Sequence, residues 1–167
     1  MITKLLSAVR QSRYAPLLAL FLGAIFPLSL APYHIWPIAL VSLAWFADLL
    51  TQQTPKQALL RGWWFGTGMW GVGVSWLFVS IHEYGCTPAW LAILMVAFVA
   101  VVMGLFSASM AFIYRRFNLD RHAILTFAPL FILFEWLKTW LFTGFPWLFT
   151  GYGFIDSVLV GYAPILG

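Results

Sequence analysis

Residues 135–147 read Glu135-Trp-Leu-Lys-Thr-Trp-Leu-Phe-Thr-Gly-Phe-Pro-Trp147 and place a carboxylate, an amine and a helix-breaking segment inside otherwise apolar sequence. Charged side chains are costly within a bilayer, so those found there commonly pair with one another or serve a function. Glu135 and Lys138 lie three positions apart, which allows them to form an ion pair on one helix. The stretch therefore predicts a membrane helix that ends at a polar, irregular segment.

The composition indicates an integral membrane protein. Of 167 residues, 63% are hydrophobic and only 8% are charged, which gives more apolar surface than a soluble core of this size could bury. The ten tryptophans are typical of a protein with many side chains at the bilayer interface. We therefore expect an all-α polytopic helix bundle.

Several other functions are disfavoured by the same sequence. The single cysteine, Cys86, excludes an internal disulfide framework. His82, Glu83 and Cys86 form a cluster that lacks the further ligand needed for a tetrahedral metal site, so we expect no metal and no cofactor. The basic residues occur in short clusters between apolar runs, which argues against a nucleic-acid-binding face.

Five complete membrane-spanning helices are predicted, each close to the ~20 residues needed to cross the hydrocarbon layer. They cover roughly residues 15–31, 35–50, 62–81, 89–114 and 124–142, and a sixth apolar run begins near Ser157. Because Pro32 directly follows the small-residue segment Ser29-Leu-Ala31, we favour a retained first helix over a cleaved signal peptide.

The distribution of charge predicts the orientation of these helices. Alternating the connections between the two sides of the membrane places one group of basic residues on the side of the N-terminus: Lys4, Arg10, Arg13, Lys56, Arg61, Arg115, Arg116 and Arg121. By the positive-inside rule, that side is cytoplasmic. Lys138 is the exception, and it lies beside Glu135 in the sequence.

Glycines in the third and fourth predicted helices indicate close packing. Gly62, Gly66 and Gly73 share one helical face, and Gly104 lies beside Ser107 and Ala108 in the next helix. Glycine lets two helix backbones approach closely in a membrane, where lipid supplies no hydrophobic drive between helices. We favour this interpretation over a substrate groove.

Two interpretations of the segment 135–154 remain open. The pair Glu135 and Lys138 either lies at the interface, with Lys138 extending to the surface, or lines a polar cavity. The chain must turn at Gly144 and Pro146, because one is permissive and the other lacks a backbone donor. The aromatic residues that follow form either a lip for acyl chains and headgroups or an ordinary interfacial belt: Phe145, Trp147, Phe149, Tyr152 and Phe154.

The chain resembles the N-terminal membrane region of the bacterial apolipoprotein N-acyltransferases. The resemblance rests on four motifs in order along the chain: Pro32-Tyr-His-Ile-Trp-Pro37; Gly62-Trp-Trp-Phe-Gly66 through Ser75-Trp76 to Val79-Ser-Ile81; Glu135 to Trp147 with Gly151-Tyr152; and Ala163-Pro-Ile-Leu-Gly167. It implies a bacterial inner-membrane enzyme that moves a fatty acyl chain from a phospholipid, through a thioester, to the N-terminal diacylglyceryl-cysteine of an apolipoprotein.

The resemblance also limits what this chain can do. In that family a periplasmic nitrilase-type domain carries a Glu, Lys and Cys triad, and residues 1–167 contain only the N-terminal membrane domain. We therefore assign no catalytic residue and expect this chain alone to be inactive. Its implied partners are the phospholipid donor, the apolipoprotein acceptor and membrane lipids. The residues expected near the substrates are Thr143, Gly144, Phe145, Pro146, Trp147, Tyr152, Glu135 and Lys138.

Two alternatives from other functional classes stay open. A small transporter or channel component would explain a charged pair beside a broken helix, but such proteins often carry a second copy of the break, and none is evident. A non-enzymatic membrane scaffold would explain the interfacial aromatic residues.

Overall fold

The computed structural model describes residues 2–141, 144–157 and 160–161, with the side chains of residues 2–6, 121 and 124 left out. Every regular element in these residues is helical, which confirms the predicted all-α class. The helices are α1 (Ile2–Gln11), α2 (Ala15–Ile25), α3 (Pro37–Leu50), α4 (Pro55–Gly73), α5 (Leu77–Val79), α6 (Ala89–Arg116) and α7 (Ala123–Leu137). Short 3-10 turns cover Phe26–Ser29, Leu119–His122 and Thr150–Phe154, and a π-helical turn, Ser80–Tyr84, continues α5.

The start of α4 is fixed by its capping residues. The Thr54 hydroxyl accepts a hydrogen bond from the Gln57 backbone N–H, and the Gln57 side chain accepts one from the Thr54 N–H. Pro55 occupies the first helical position, where its missing donor costs nothing. The helix therefore begins at Pro55, whereas the apolar pattern alone placed its start near Gly62.

The predicted third span is wrong as one continuous helix. α4 ends at Gly73, and the chain bends by 59° before Leu77–Tyr84. Gly71 and Gly73 are weak helix formers, and a Cβ built at Gly73 would lie 2.5 Å from the Leu148 side chain. The bend therefore coincides with a position where a distant segment packs against the helix end.

Length and composition identify few helices that could cross a membrane unaided. Within the described residues, α6 meets both conditions, with a mean hydropathy of 2.7, and the bent pair Pro55–Gly73 and Leu77–Tyr84 meets them if counted as one span. The other apolar helices, Ala15–Ser29, Pro37–Leu50 and Leu125–Leu137, are shorter. The count of five complete spans thus stays a prediction.

The centre of the fold is α4, which packs against both α2 and α6. A Cβ built at Gly66 would lie 2.7 Å from the Gly104 Cα in α6, and one built at Gly62 would lie 2.5 Å from a backbone oxygen of the same helix. On the α2 side, a Cβ at Gly68 would lie 2.2 Å from the Leu20 carbonyl oxygen. The predicted close packing of helices through glycine is confirmed at these positions.

Replacing Gly66 with alanine is expected to destabilise the bundle, because the added methyl group meets the α6 backbone while α4 is also packed closely against α2. Overpacking of this kind typically costs about 1–3 kcal/mol. Gly71→Ala is the matched control, since its Cβ would meet only the Ala100 methyl at 3.9 Å. Thermal unfolding in detergent should show a lower midpoint for Gly66→Ala only; equal midpoints would contradict the contact.

One end of the bundle is held together by arginines that are buried or half-buried. Arg61 donates to the backbone carbonyl of Arg10 and to one at the end of α3, and Arg115 Nε donates to the Gln53 carbonyl, 2.7 Å away. The hydrogen bond from Arg10 to Asp48 raises the pKa of the Arg10 guanidinium, so this group stays charged. We call the region where α1, α3 and α6 end and α4 begins the basic end.

Candidate functional site

The chain after α7 runs across the bundle end opposite the basic end. This segment, residues 144–157, is called the strap. The Phe145 ring stacks on Trp70 of α4 with a centroid distance of 5.3 Å, and the Phe154 ring lies 6.2 Å from that of Trp36, just before α3. The strap therefore links helices that are distant in sequence.

The C-terminal part of the strap is fixed to the connection between α2 and α3. The Asp156 carboxylate lies 2.6 Å from His34 Nδ1. A Cβ built at Gly153 would lie 3.1 Å from the Ser29 carbonyl oxygen, so the two backbones are in close contact. Both contacts bring the strap to residues that follow α2.

The turn into the strap depends on Gly144, which has a φ of +81°. Its N–H donates to the Leu141 carbonyl at 3.1 Å, and the next N–H, of Phe145, donates to the Lys138 carbonyl at 2.8 Å. Pro146 follows and cannot donate. The predicted break is thus a compact reversal that leads the chain back toward the end of α7.

Glu135 and Lys138 form a buried clamp on the strap. The Lys138 Nζ lies 3.8 Å from Glu135 Oε1. The Lys138 side chain is 4% exposed and the Glu135 side chain is 12% exposed. The same Glu135 oxygen accepts hydrogen bonds from the N–H and the hydroxyl of Thr150, both at 2.9 Å. Lys138 Nζ lies 3.5 Å from the Leu148 carbonyl. The expected ion pair is confirmed, and it holds the strap from two sides.

The Lys138 ammonium is further enclosed by aromatic rings. Its Nζ lies 5.2 Å from the centroid of the Trp70 ring and 5.1 Å from that of Phe149, distances at which a cation is attracted by the ring face. The alternative in which Lys138 extends to the surface is therefore wrong. The ammonium belongs to the packing between α4, α7 and the strap.

A small cavity of about 20 Å³ adjoins this pair. It has room for about one water molecule and is too small for an acyl chain. Apolar side chains form most of its wall, which consists of Met69, Trp70, Phe106, Ser107, Met110, Phe131, Phe134, Glu135 and Lys138. In this arrangement Glu135 and Lys138 hold the strap in place and do not open onto a substrate-sized space.

The outer face of the strap presents aromatic side chains. Trp147 is 44% exposed, and its ring centroid lies 5.4 Å from that of Trp76, which follows α4. Tyr152 is exposed beside Phe149. This exposed surface fits either of the two interpretations left open, a lip for lipid chains or an interfacial belt.

No metal-binding group is found among the described residues: none of them forms a cluster of three or more His, Cys, Asp or Glu side chains suited to a metal ion. His82 Nδ1 lies 2.7 Å from the Thr87 carbonyl oxygen. That hydrogen bond joins the π-helical turn to the loop that follows it.

The structure brings most of the predicted site residues into one region, at the end of α7 and along the strap, whereas Thr143 lies outside the described residues. Sequence reasoning missed Thr150, because its contact with Glu135 spans a separation that no local pattern reveals. It also missed Trp70. This residue lies one helical turn after Gly66, so its place on a packed face of α4 could have been inferred.

Comparison with known proteins relates the chain to a described family. Residues 22–167 match the family described as the apolipoprotein N-acyltransferase N-terminal domain. The chain is 44% identical to the apolipoprotein N-acyltransferase of Pseudomonas syringae pv. tomato over 156 residues, which covers 90% of the chain and 31% of that protein. It is 42% identical to the enzyme of that name from Vibrio parahaemolyticus over 91% of the chain and 31% of the relative. It is 43% identical to the apolipoprotein N-acyltransferase of Coxiella burnetii, over 90% of the chain and 32% of that protein. The chain thus spans just under a third of the length of these relatives.

Proposed function

This chain belongs to the apolipoprotein N-acyltransferase family, and on that premise we propose that it is the N-terminal membrane part of a lipoprotein-maturation enzyme. The complete enzyme transfers a fatty acyl chain from a phospholipid to the N-terminal diacylglyceryl-cysteine of an apolipoprotein. In this proposal the chemistry belongs to the nitrilase-type domain of the family, and residues 1–167 supply none of its catalytic groups. Its own part is to anchor that domain and to receive both substrates from the bilayer.

In the proposed membrane arrangement, α2, α3, α4 with α5, α6 and α7 cross the inner membrane of a bacterium. The shorter helices span with the help of local thinning of the bilayer, which a membrane accommodates at modest cost. The clustering of arginines at the basic end supports a cytoplasmic position for that end. The strap then lies on the periplasmic side, where the catalytic domain of the family resides.

We propose that the strap is the platform on which the substrates meet the catalytic domain. The observation that carries this proposal is the contrast between its two faces: the inner face is clamped by Glu135 and Lys138, whereas the outer face presents Trp147 and Tyr152. A fixed backbone with exposed aromatic side chains can contact acyl chains and headgroups with little loss of conformational entropy. Glu135 and Lys138 act as positioning residues in this role.

Replacing Trp147 with alanine in the full-length protein is expected to reduce acyl transfer by about tenfold or more, which is the typical effect of removing a buried or anchoring aromatic contact. Trp140→Ala is the matched control, since Trp140 is also exposed and also packs against another tryptophan, Trp136. Acyl transfer from phospholipid to a diacylglyceryl peptide is measured at equal amounts of membrane-inserted enzyme. Equal activity of the two variants would favour an interfacial belt and contradict the platform.

A further inference from the structure

The basic end carries more positive charge than its acidic side chains neutralise. Asp48 pairs with Arg10, and Asp120 pairs with Arg115. Both carboxylates are therefore committed to arginines that hold the helix ends together. Arg61 is itself buried and satisfied by backbone carbonyls. Any further cation at this end must find its counter-charge outside the protein.

The described side chains include three such cations on the surface. Among the side chains that the structure describes, Arg13, Lys56 and Arg116 are exposed at this end and make no ion pair with a carboxylate. They follow α1, begin α4 and end α6, respectively. We call these three residues the basic rim.

Each cation of the basic rim has an exposed apolar or aromatic neighbour. The Arg13 guanidinium donates to the Tyr14 hydroxyl at 2.7 Å and lies 4.8 Å from the centroid of the Tyr14 ring. The neighbours are Tyr14 beside Arg13, Leu59 and Leu60 about one helical turn after Lys56, and Phe117 beside Arg116, all more than 40% exposed. A soluble anion would gain no stabilisation from contact with these apolar side chains. A lipid, with a charged headgroup above an apolar body, matches both.

We propose that the basic rim binds the headgroups of anionic phospholipids in the leaflet at the basic end, with the neighbouring apolar side chains against the upper acyl chains. The inference takes the membrane arrangement proposed above as given, but the site is separate from the strap at the opposite end. Basic residues next to an anionic leaflet gain about a fivefold preference each, the equivalent of about 1 kcal/mol. Tyrosine is enriched at the level of the lipid headgroups, because its ring can be half buried while its hydroxyl stays hydrated.

The test is lipid binding by the delipidated chain in detergent, followed by native mass spectrometry during titration with phosphatidylglycerol or phosphatidylcholine. We expect the wild-type chain to bind phosphatidylglycerol more tightly. The variant R13Q/K56Q/R116Q should lose this preference, with its affinity for phosphatidylglycerol reduced by up to about a hundredfold, the product of three contributions of about fivefold. The charge-conserving variant R13K/K56R/R116K is the matched control and should retain the preference.

An unchanged preference in the neutral variant would overturn the proposal, as would equal loss in the charge-conserving control. If the triple neutral variant fails to insert, the single variants R13Q, K56Q and R116Q decide the matter, because each changes one exposed side chain. The preference between the two lipids reports on the basic rim, whereas acyl transfer by Trp147→Ala reports on the platform. The basic rim and the platform can therefore fail independently.

Discussion

Glu135→Gln is expected to destabilise the protein by about 3–5 kcal/mol, the usual cost of removing one partner from a buried ion pair. The amide oxygen can still accept the two hydrogen bonds from Thr150, so the strap contact is conserved in shape. Lys138, however, would keep a buried ammonium with only the Leu148 carbonyl and two aromatic rings around it. The free energy of unfolding measured in detergent by chemical denaturation reports the loss.

A second variant separates the charge from the shape. Glu135→Gln with Lys138→Met removes both charges, and replacement of a buried pair by uncharged groups is often close to neutral. We therefore expect the double variant to recover much of the stability lost by Glu135→Gln. A single variant as stable as the wild type, or a double variant no better than the single, would show that the pair is not an energetic clamp.

The fold was predictable where local chemistry determined it. Glycine spacing in α4 and α6 predicted the close helix contacts, because a missing Cβ is visible in the sequence and its consequence is local to the interface. The predicted start of α4 near Gly62 is wrong, because the apolar pattern begins after Pro55, whereas the capping residues Thr54 and Gln57 set the helix start. The end of α4 was misplaced for a different reason. Leu148, far away in the sequence, packs where the helix bends.

The candidate site was predictable only in part, because some of its contacts join segments that are distant in the sequence. Glu135 and Lys138 are close in sequence, and a helix brings such positions together, so their pairing could be inferred. The contact between Glu135 and Thr150 could not be inferred from the sequence. It depends on the turn at Gly144 and on the packing of Phe145 against Trp70, which together bring Thr150 to Glu135. Hydrogen bonds between distant segments have no signature in a single sequence.

Gly144→Ala is expected to displace the strap from the bundle. A φ of +81° is unfavourable for a residue with a side chain, at a cost of about 1–2 kcal/mol. In addition, the new Cβ would lie 2.0 Å from the Thr139 carbonyl oxygen, so the backbone must move. Hydrogen exchange of peptides from residues 144–157 should become faster. In the full-length enzyme, acyl transfer should fall at least as far as in Trp147→Ala.

Gly151→Ala is the matched control for this change, because no atom within 4 Å would meet its Cβ. Gly151 lies in the same strap, and its replacement adds the same methyl group. The control therefore separates a requirement for glycine at position 144 from a general sensitivity of the strap to added methyl groups. Slow exchange and full activity in Gly151→Ala, together with fast exchange and low activity in Gly144→Ala, would tie activity to the reversal that seats the strap on Glu135. Unchanged exchange in Gly144→Ala would contradict this arrangement of the turn, whatever the activity.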